Sequence, residues 1–83
     1  MLCRYEITVR AICPIHKVPD TYQVTVESPH EVMVETILDI AHEMAGTEQT
    51  QERITETLAK RLPGCTITSI GYHSGVRTTV IVP

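Results

Sequence analysis

From Cys3 to Cys13 the chain alternates. Odd positions read Cys3, Tyr5, Ile7, Val9, Ala11, Cys13, and even positions Arg4, Glu6, Thr8, Arg10, then Ile12. A period of two predicts a strand with one face on a core and one in solvent. Pro14 and Pro19 bracket a loop over 14–20, because proline removes a ladder donor. A second strand follows, with Tyr22, Val24 and Val26 on one face and Gln23, Thr25 and Glu27 on the other. Ser28-Pro29-His30-Glu31 then predicts a helix start: a capping Ser, a proline in the first turn and a Glu closing a capping box. That helix carries Val34, Ile37, Leu38, Ala41, Met44 and Ala45 on one stripe and ends at Gly46. Thr47 or Thr50 caps a second helix, in which Ile54, Leu58 and Leu62 recur every four residues. Lys60 and Arg61 suit its C-terminal dipole, and Pro63-Gly64 stops it. Two strands remain, near 66–73 and 76–82, joined by a tight turn at Ser74-Gly75. The apolar phase slips by one between Ile67 and Ile70, which predicts a bulge near Ser69.

The predicted order, strand-strand-helix-helix-strand-strand, is that of one α+β domain over residues 1–83: a four-stranded antiparallel sheet with two antiparallel helices between strands 2 and 3. Helices on a single face leave two sheet edges open, which neighbouring copies can pair.

Composition sharpens that expectation. The chain has 83 residues, no Trp, no Phe and three Tyr, so its core rests on Ile, Val, Leu, Met and Ala. A domain this short buries only about 60% of its unfolded surface. Self-association into a homo-oligomer is the favoured way to complete it. Three Cys and no leader-like segment point to a reducing, cytoplasmic setting rather than a disulfide framework. No apolar run reaches the ~18 residues that span a bilayer. The net charge of −3, without a Lys/Arg cluster, argues against a grip on nucleic-acid phosphates.

Few residues can carry chemistry. Cys13 stands where a strand meets a proline loop that closes on Asp20, so a ligand can reach its thiolate while the acid moves protons. A buried free cysteine ends a strand equally well. Cys13-Pro14-Ile15-His16 also has metal-ligand spacing, to which His73 can be added, but one C-x-x-H is a thin signal and no metal is assigned. Cys3 and Cys65 read as packing residues. Glu52, after Gln51 in the first turn of the second helix, either favours the helix dipole or accepts two hydrogen bonds from a guanine-like edge. Glu35 and His42 share a helix face, as a solvated face also would.

These residues resemble a known family. Cys13-Pro14-Ile15-His16-Lys17-Val18-Pro19-Asp20 is similar to the C-P-x-x-x-x-P-D segment of the QueF nitrile reductases, which act on 7-cyano-7-deazaguanine with NADPH. Val34-Glu35-Thr36 looks like that family's V-E-S, and Gln51-Glu52 falls where it has H-E. Gln51-Glu52-Arg53-Ile54-Thr55 is similar to the Q-E-R-L-T helix start of GTP cyclohydrolase I, a second tunnelling-fold enzyme. The resemblance implies a tunnelling fold with ligand sites between subunits. It also implies a thioimide on Cys13, proton transfer by Asp20, and a purine held by Glu52 with Gln51, Glu35 and Thr36.

The departures narrow the chemistry. The Lys-rich stretch that follows V-E-S and is implicated in NADPH binding reads Ile37-Leu38-Asp39-Ile40-Ala41 here. The histidine of H-E is Gln51, which leaves His16, His42 or His73 as replacement proton donors. The hairpin Gly71-Tyr72-His73-Ser74-Gly75-Val76 lacks the reductases' R-G-G and is closer to the Y-x-x-G-V of the QueF-like branch, which adds ammonia to give an amidine. The cyclohydrolase's C-E-H-H zinc motif is absent. The resemblance therefore favours amidination of 7-cyano-7-deazaguanine, as free base or within nucleic acid, with ammonia as co-substrate. NADPH-dependent reduction and a non-catalytic purine-binding module are the alternatives.

Overall fold

The computed structural model describes residues 1–83. Its elements are β1 (Cys3–Ile12), β2 (Pro19–Ser28), α1 (Val34–Met44), α2 (Gln51–Arg61), β3 (Thr66–His73) and β4 (Val76–Val82). The strands form one antiparallel sheet in the order β1-β2-β3-β4, with β1 and β4 as edges. Register follows the pleat: Tyr5 stands opposite Val26, Ile7 opposite Val24 and Val9 opposite Tyr22, and Val24 and Val26 stand opposite Ser69 and Ile67. This face carries the core, into which α1 packs Ile37, Ile40, Ala41 and Met44 and α2 packs Ile54 and Leu58. Each such fully buried aliphatic side chain contributes about 1.5–3 kcal/mol of transfer free energy.

The second hairpin matches its predicted bounds. Ser74 and Gly75 both have positive φ, 51° and 82°, as a two-residue turn between right-twisted strands requires. Three expectations change.

The first is the start of α1. Ser28 is the last residue of β2, paired with Cys3 and fully buried. Its Oγ accepts from the His30 amide at 3.2 Å, a local turn, and Tyr5 Oη accepts from the Val32 amide at 3.0 Å. The helix starts only after Met33, which caps it with extended backbone and no side-chain bond. Sheet pairing of Ser28 outweighs its capping preference. The buried stripe rotates accordingly: Ile40 points inward, and Val34 and Leu38 are exposed.

The second is the bulge, which does not exist. The register of β3 with β2 and β4 is uninterrupted. Ser69 faces the core as the pleat dictates and is fully buried, while Ile70 lies on the opposite, half-exposed face. The phase slip marks a polar residue inside the core.

The third is the loop after β1. Asp20 pairs with Ala11 and Pro19 with Ile12, so the loop is confined to 13–18 and Asp20 sits on a strand. Pro19 is tolerated as the first residue of that strand.

Candidate active site

Four segments distant in sequence meet at one end of the sheet. Cys13 follows the last residue of β1, its amide donating to Val18 O at 2.8 Å and its carbonyl accepting from the Lys17 amide at 2.8 Å. Lys17 takes φ 57° to close this loop. The connection between the helices runs beside the end of β1: the Ile12 amide donates to Thr47 O at 2.8 Å and the Gln49 amide to Ile12 O at 3.1 Å. Lys17 Nζ donates to Glu48 Oε1 at 2.5 Å, pinning the Cys13 loop to that connection. The first turn of α2 is thereby set next to Cys13. Thr50, not Thr47, caps α2, its Oγ1 accepting from the Arg53 amide at 3.1 Å.

The result is a cleft of about 440 Å³, in the size range of small-molecule sites. Cys13 and His16 line it from the loop, Asp20 and Tyr22 from β2, Gln51 and Glu52 from α2, and Tyr72 and His73 from the end of β3. Cys13, Asp20 and His73 are half-buried, whereas Glu52 and His16 are exposed. Glu35, Thr36 and His42 also belong to the predicted set; all three are exposed on α1 and outside the cleft of their own chain. No three His, Cys, Asp or Glu side chains gather closely enough to hold a metal ion.

Beneath the cleft lies a polar network. The Gln51 side chain, 1% exposed, aims one Nε2 hydrogen at Thr78 O (3.0 Å) and the other between Ser69 O (3.2 Å) and Ser69 Oγ (3.1 Å), which share it. Its Oε1 is 2.8 Å from His73 Nε2. Thr55 Oγ1 donates to Gln51 O at 2.7 Å and lies 2.7 Å from Ser69 Oγ. Every buried polar side-chain atom of the protein has a partner. Gln51 is therefore engaged wholly within the chain, and the face it presents to the cleft is that of a support.

Tyr22 forms the floor. Its hydroxyl donates to Asp20 Oδ2 at 3.3 Å, and its ring lies 6.0 Å from that of His73. Burial, reinforced by the Asp20 carboxylate, pushes the hydroxyl up to about 12. The ring fits because residue 71 is glycine: a Cβ there would stand 2.5 Å from Tyr22 Cδ1 and 2.6 Å from Cε1. Tyr22, Ser69, Thr55 and Thr78 were not among the expected site residues. The one signal for them was the broken apolar phase at Ser69.

No family model matches the sequence, and no curated protein matches it. Solved structures do. The crystal structure of the archaeosine synthase QueF-Like in the apo form matches with a TM-score of 0.89, covering 98% of this chain and 90% of that one at 22% identity. The chain has the tunnelling fold. At that identity the likeness is one of fold, and it agrees with the strand and helix order predicted from the periodicities.

Proposed function

We propose that the protein is a QueF-like enzyme that processes the nitrile of 7-cyano-7-deazaguanine through a thioimide on Cys13. One observation carries this reading: Cys13, Asp20 and Glu52, three of the six residues to which the resemblance gives a role, line one cleft although they come from three segments spread over 40 positions, 13 to 52. The likeness in fold to an archaeosine synthase supports the same substrate class.

In this reading the Cys13 sulfur adds to the nitrile carbon, one π bond of the nitrile breaks, and the nitrogen takes a proton through Asp20. Glu52, exposed on the first turn of α2, accepts from the N–H and NH₂ groups of the deazaguanine edge. Ammonia then displaces the sulfur and leaves an amidine. Amidination is favoured over reduction because the stretch Ile37-Leu38-Asp39-Ile40-Ala41, which stands where the reductases have their Lys-rich stretch, has no lysine, and its Ile37, Ile40 and Ala41 are buried in the core. The acidic Asp39 beside them gives a cofactor phosphate no counter-charge. Those residues do not fit NADPH.

The open edges of β1 and β4 suit pairing with further copies, and Val76 and Ile81 on β4 are exposed. No helix is long and apolar enough to cross a membrane.

The test is intact mass spectrometry of the reduced protein with 7-cyano-7-deazaguanine, followed by ammonium or NADPH. The expected outcome is an adduct of one base per chain that Cys13→Ala abolishes and ammonium clears. Absence of an adduct on reduced Cys13 would sink the enzyme reading. Reversible binding without one would leave a purine-binding module.

A further inference from the structure

We infer that Gln51 is a positioning residue that locks His73 in one tautomer, so that His73 exchanges protons with the cleft only through Nδ1. The second half of this inference rests on the thioimide reading above; the first half does not.

The direction of each hydrogen bond in the network is determined. Ser69 O and Thr78 O are backbone carbonyls and can only accept, and they lie 3.2 and 3.0 Å from Gln51 Nε2. The amide NH₂ must face them, which leaves Gln51 Oε1 facing His73. An orientation with the amide reversed would put an oxygen against two carbonyls. The rest of the network closes the same way. Thr55 Oγ1 gives its proton to Gln51 O, so it accepts from Ser69 Oγ, and Ser69 Oγ in turn accepts from Gln51 Nε2. No hydroxyl remains that can run the chain backwards.

Gln51 Oε1 is therefore a fixed acceptor 2.8 Å from His73 Nε2, and that nitrogen must carry hydrogen. In the neutral ring Nδ1 is then bare; in the cation it holds the second proton. Nδ1 makes no hydrogen bond within the chain, yet no buried polar atom of the protein lacks a partner, so Nδ1 is solvent-accessible. The titratable groups that line the cleft with His73 are Cys13 and His16 from the loop, Asp20 and Tyr22 from β2, Glu52 from α2 and Tyr72 from β3. Arg77 of β4 pairs with Tyr72 and projects from the opposite face of the sheet.

A bare nitrogen with a defined orientation suits the step in which ammonia displaces sulfur. One C–N bond forms, the C–S bond breaks, one N–H proton leaves the incoming nitrogen and one proton reaches the departing Cys13 sulfur. Neutral His73 takes the first proton at Nδ1 and, as the cation, returns a proton from the same atom.

Two experiments decide the matter. ¹⁵N spectra of histidine-labelled protein, with His73 assigned by its loss in His73→Gln, are expected to show Nε2 protonated and Nδ1 bare when the ring is neutral. Gln51→Met is expected to move the ring toward a mixture. A dominant Nδ1–H form in the wild type would overturn the positioning role, whether or not Gln51→Met folds. His73→Gln keeps an N–H donor toward Gln51 Oε1 but cannot titrate. Once formed, its Cys13 adduct should clear with ammonium about 100-fold or more slowly than that of the wild type, with a flattened pH profile. Clearance at the wild-type rate would overturn the proton-transfer role while leaving the thioimide standing. Absence of any wild-type adduct would overturn the thioimide reading and the proton-transfer role together, and the spectra would still judge the tautomer.

Discussion

The two helices are each 11 residues long and pack on the same sheet, yet they cover it in different ways. α1 lies over β1 and seals an apolar interface with Ile37, Ile40, Ala41 and Met44. Its polar residues Glu35, Thr36 and His42 all point to solvent. α2 lies over β3 and β4 and buries Gln51 and Thr55 together with Ile54 and Leu58, meeting the buried Ser69 below. An apolar interface tolerates small repacking, whereas a buried polar one must satisfy each donor and acceptor and so admits one arrangement. The cleft draws on both halves, and the wall that α2 and β3 give it is the one with the fixed arrangement. Glu52 and His73 stand on a support whose geometry is over-determined, and α1 supplies burial.

The largest effect that sharpens this contrast is expected at Gly71. A methyl group there meets the Tyr22 ring at 2.5 Å and Gln51 Oε1 at 3.2 Å, so the floor of the cleft and the helix support are pushed together. Neither can yield easily, since the ring is rigid and Gln51 is bonded on every side. Gly71→Ala should cost about 1–3 kcal/mol in urea unfolding and should slow adduct formation on Cys13. An unchanged unfolding midpoint would mean that the α2 half is as adaptable as the α1 half.

The same contrast explains what could be read from the residues beforehand. β1 and β2 announce themselves by a period of two, because alternation is local and the pleat enforces it, and β3 and β4 by the turn at Ser74-Gly75 between them. Cys13, Asp20 and Glu52 were legible through resemblance, and they meet in space because a parallel bridge between Ile12 and Glu48 draws the helix connection to the end of β1. That bridge has no local signature. Ser28-Pro29-His30-Glu31 satisfies the rules for a helix start, but its Ser is also the partner of Cys3 across the sheet, and pairing won. Ser69 looked like a defect in an apolar pattern because its partners, Gln51 and Thr55, lie 14 to 18 positions away on another element. Local rules capture propensity; they miss polar groups whose partners are brought by tertiary structure.

Tyr22, the floor of the cleft, offers a smaller probe. Its hydroxyl is pushed from 10.0 to about 12 by burial and by Asp20. The unfolded chain releases this proton near pH 10 and the folded chain near pH 12. Between those values the folded chain binds a proton that the unfolded chain has lost, so this contribution is whole below about pH 10 and falls away as pH rises toward 12. Unfolding measured at intervals from about pH 9 to about pH 12 should show a decline that is shallower in Tyr22→Phe. Equal slopes in the two proteins would show that the Tyr22 hydroxyl is not held by burial and Asp20.

The smallest effects are at the helix starts, where the comparison can be made one residue against one residue. Thr50 accepts from the Arg53 amide and caps α2, while Met33 starts α1 with no side-chain bond and is 67% exposed. Thr50→Ala removes a real cap and should cost about 1 kcal/mol. Met33→Ala removes none and should fall within about 0.5 kcal/mol of wild type. Met33 already has the extended backbone of a capping residue, φ −65° and ψ 122°. Met33→Asp therefore needs no rearrangement to place an acceptor over the free amides of the first turn, and its charge favours the helix dipole, although Glu35 two residues on opposes it. A gain of a few tenths to about 1 kcal/mol is expected, each kcal/mol raising the melting temperature by about 4–8 °C in a domain of this size. If Met33→Asp gains nothing while Thr50→Ala costs its full amount, the start of α1 is held by the bond of the Val32 amide to Tyr5 and not by its end groups. Tyr5→Phe would then be the more damaging change in that half.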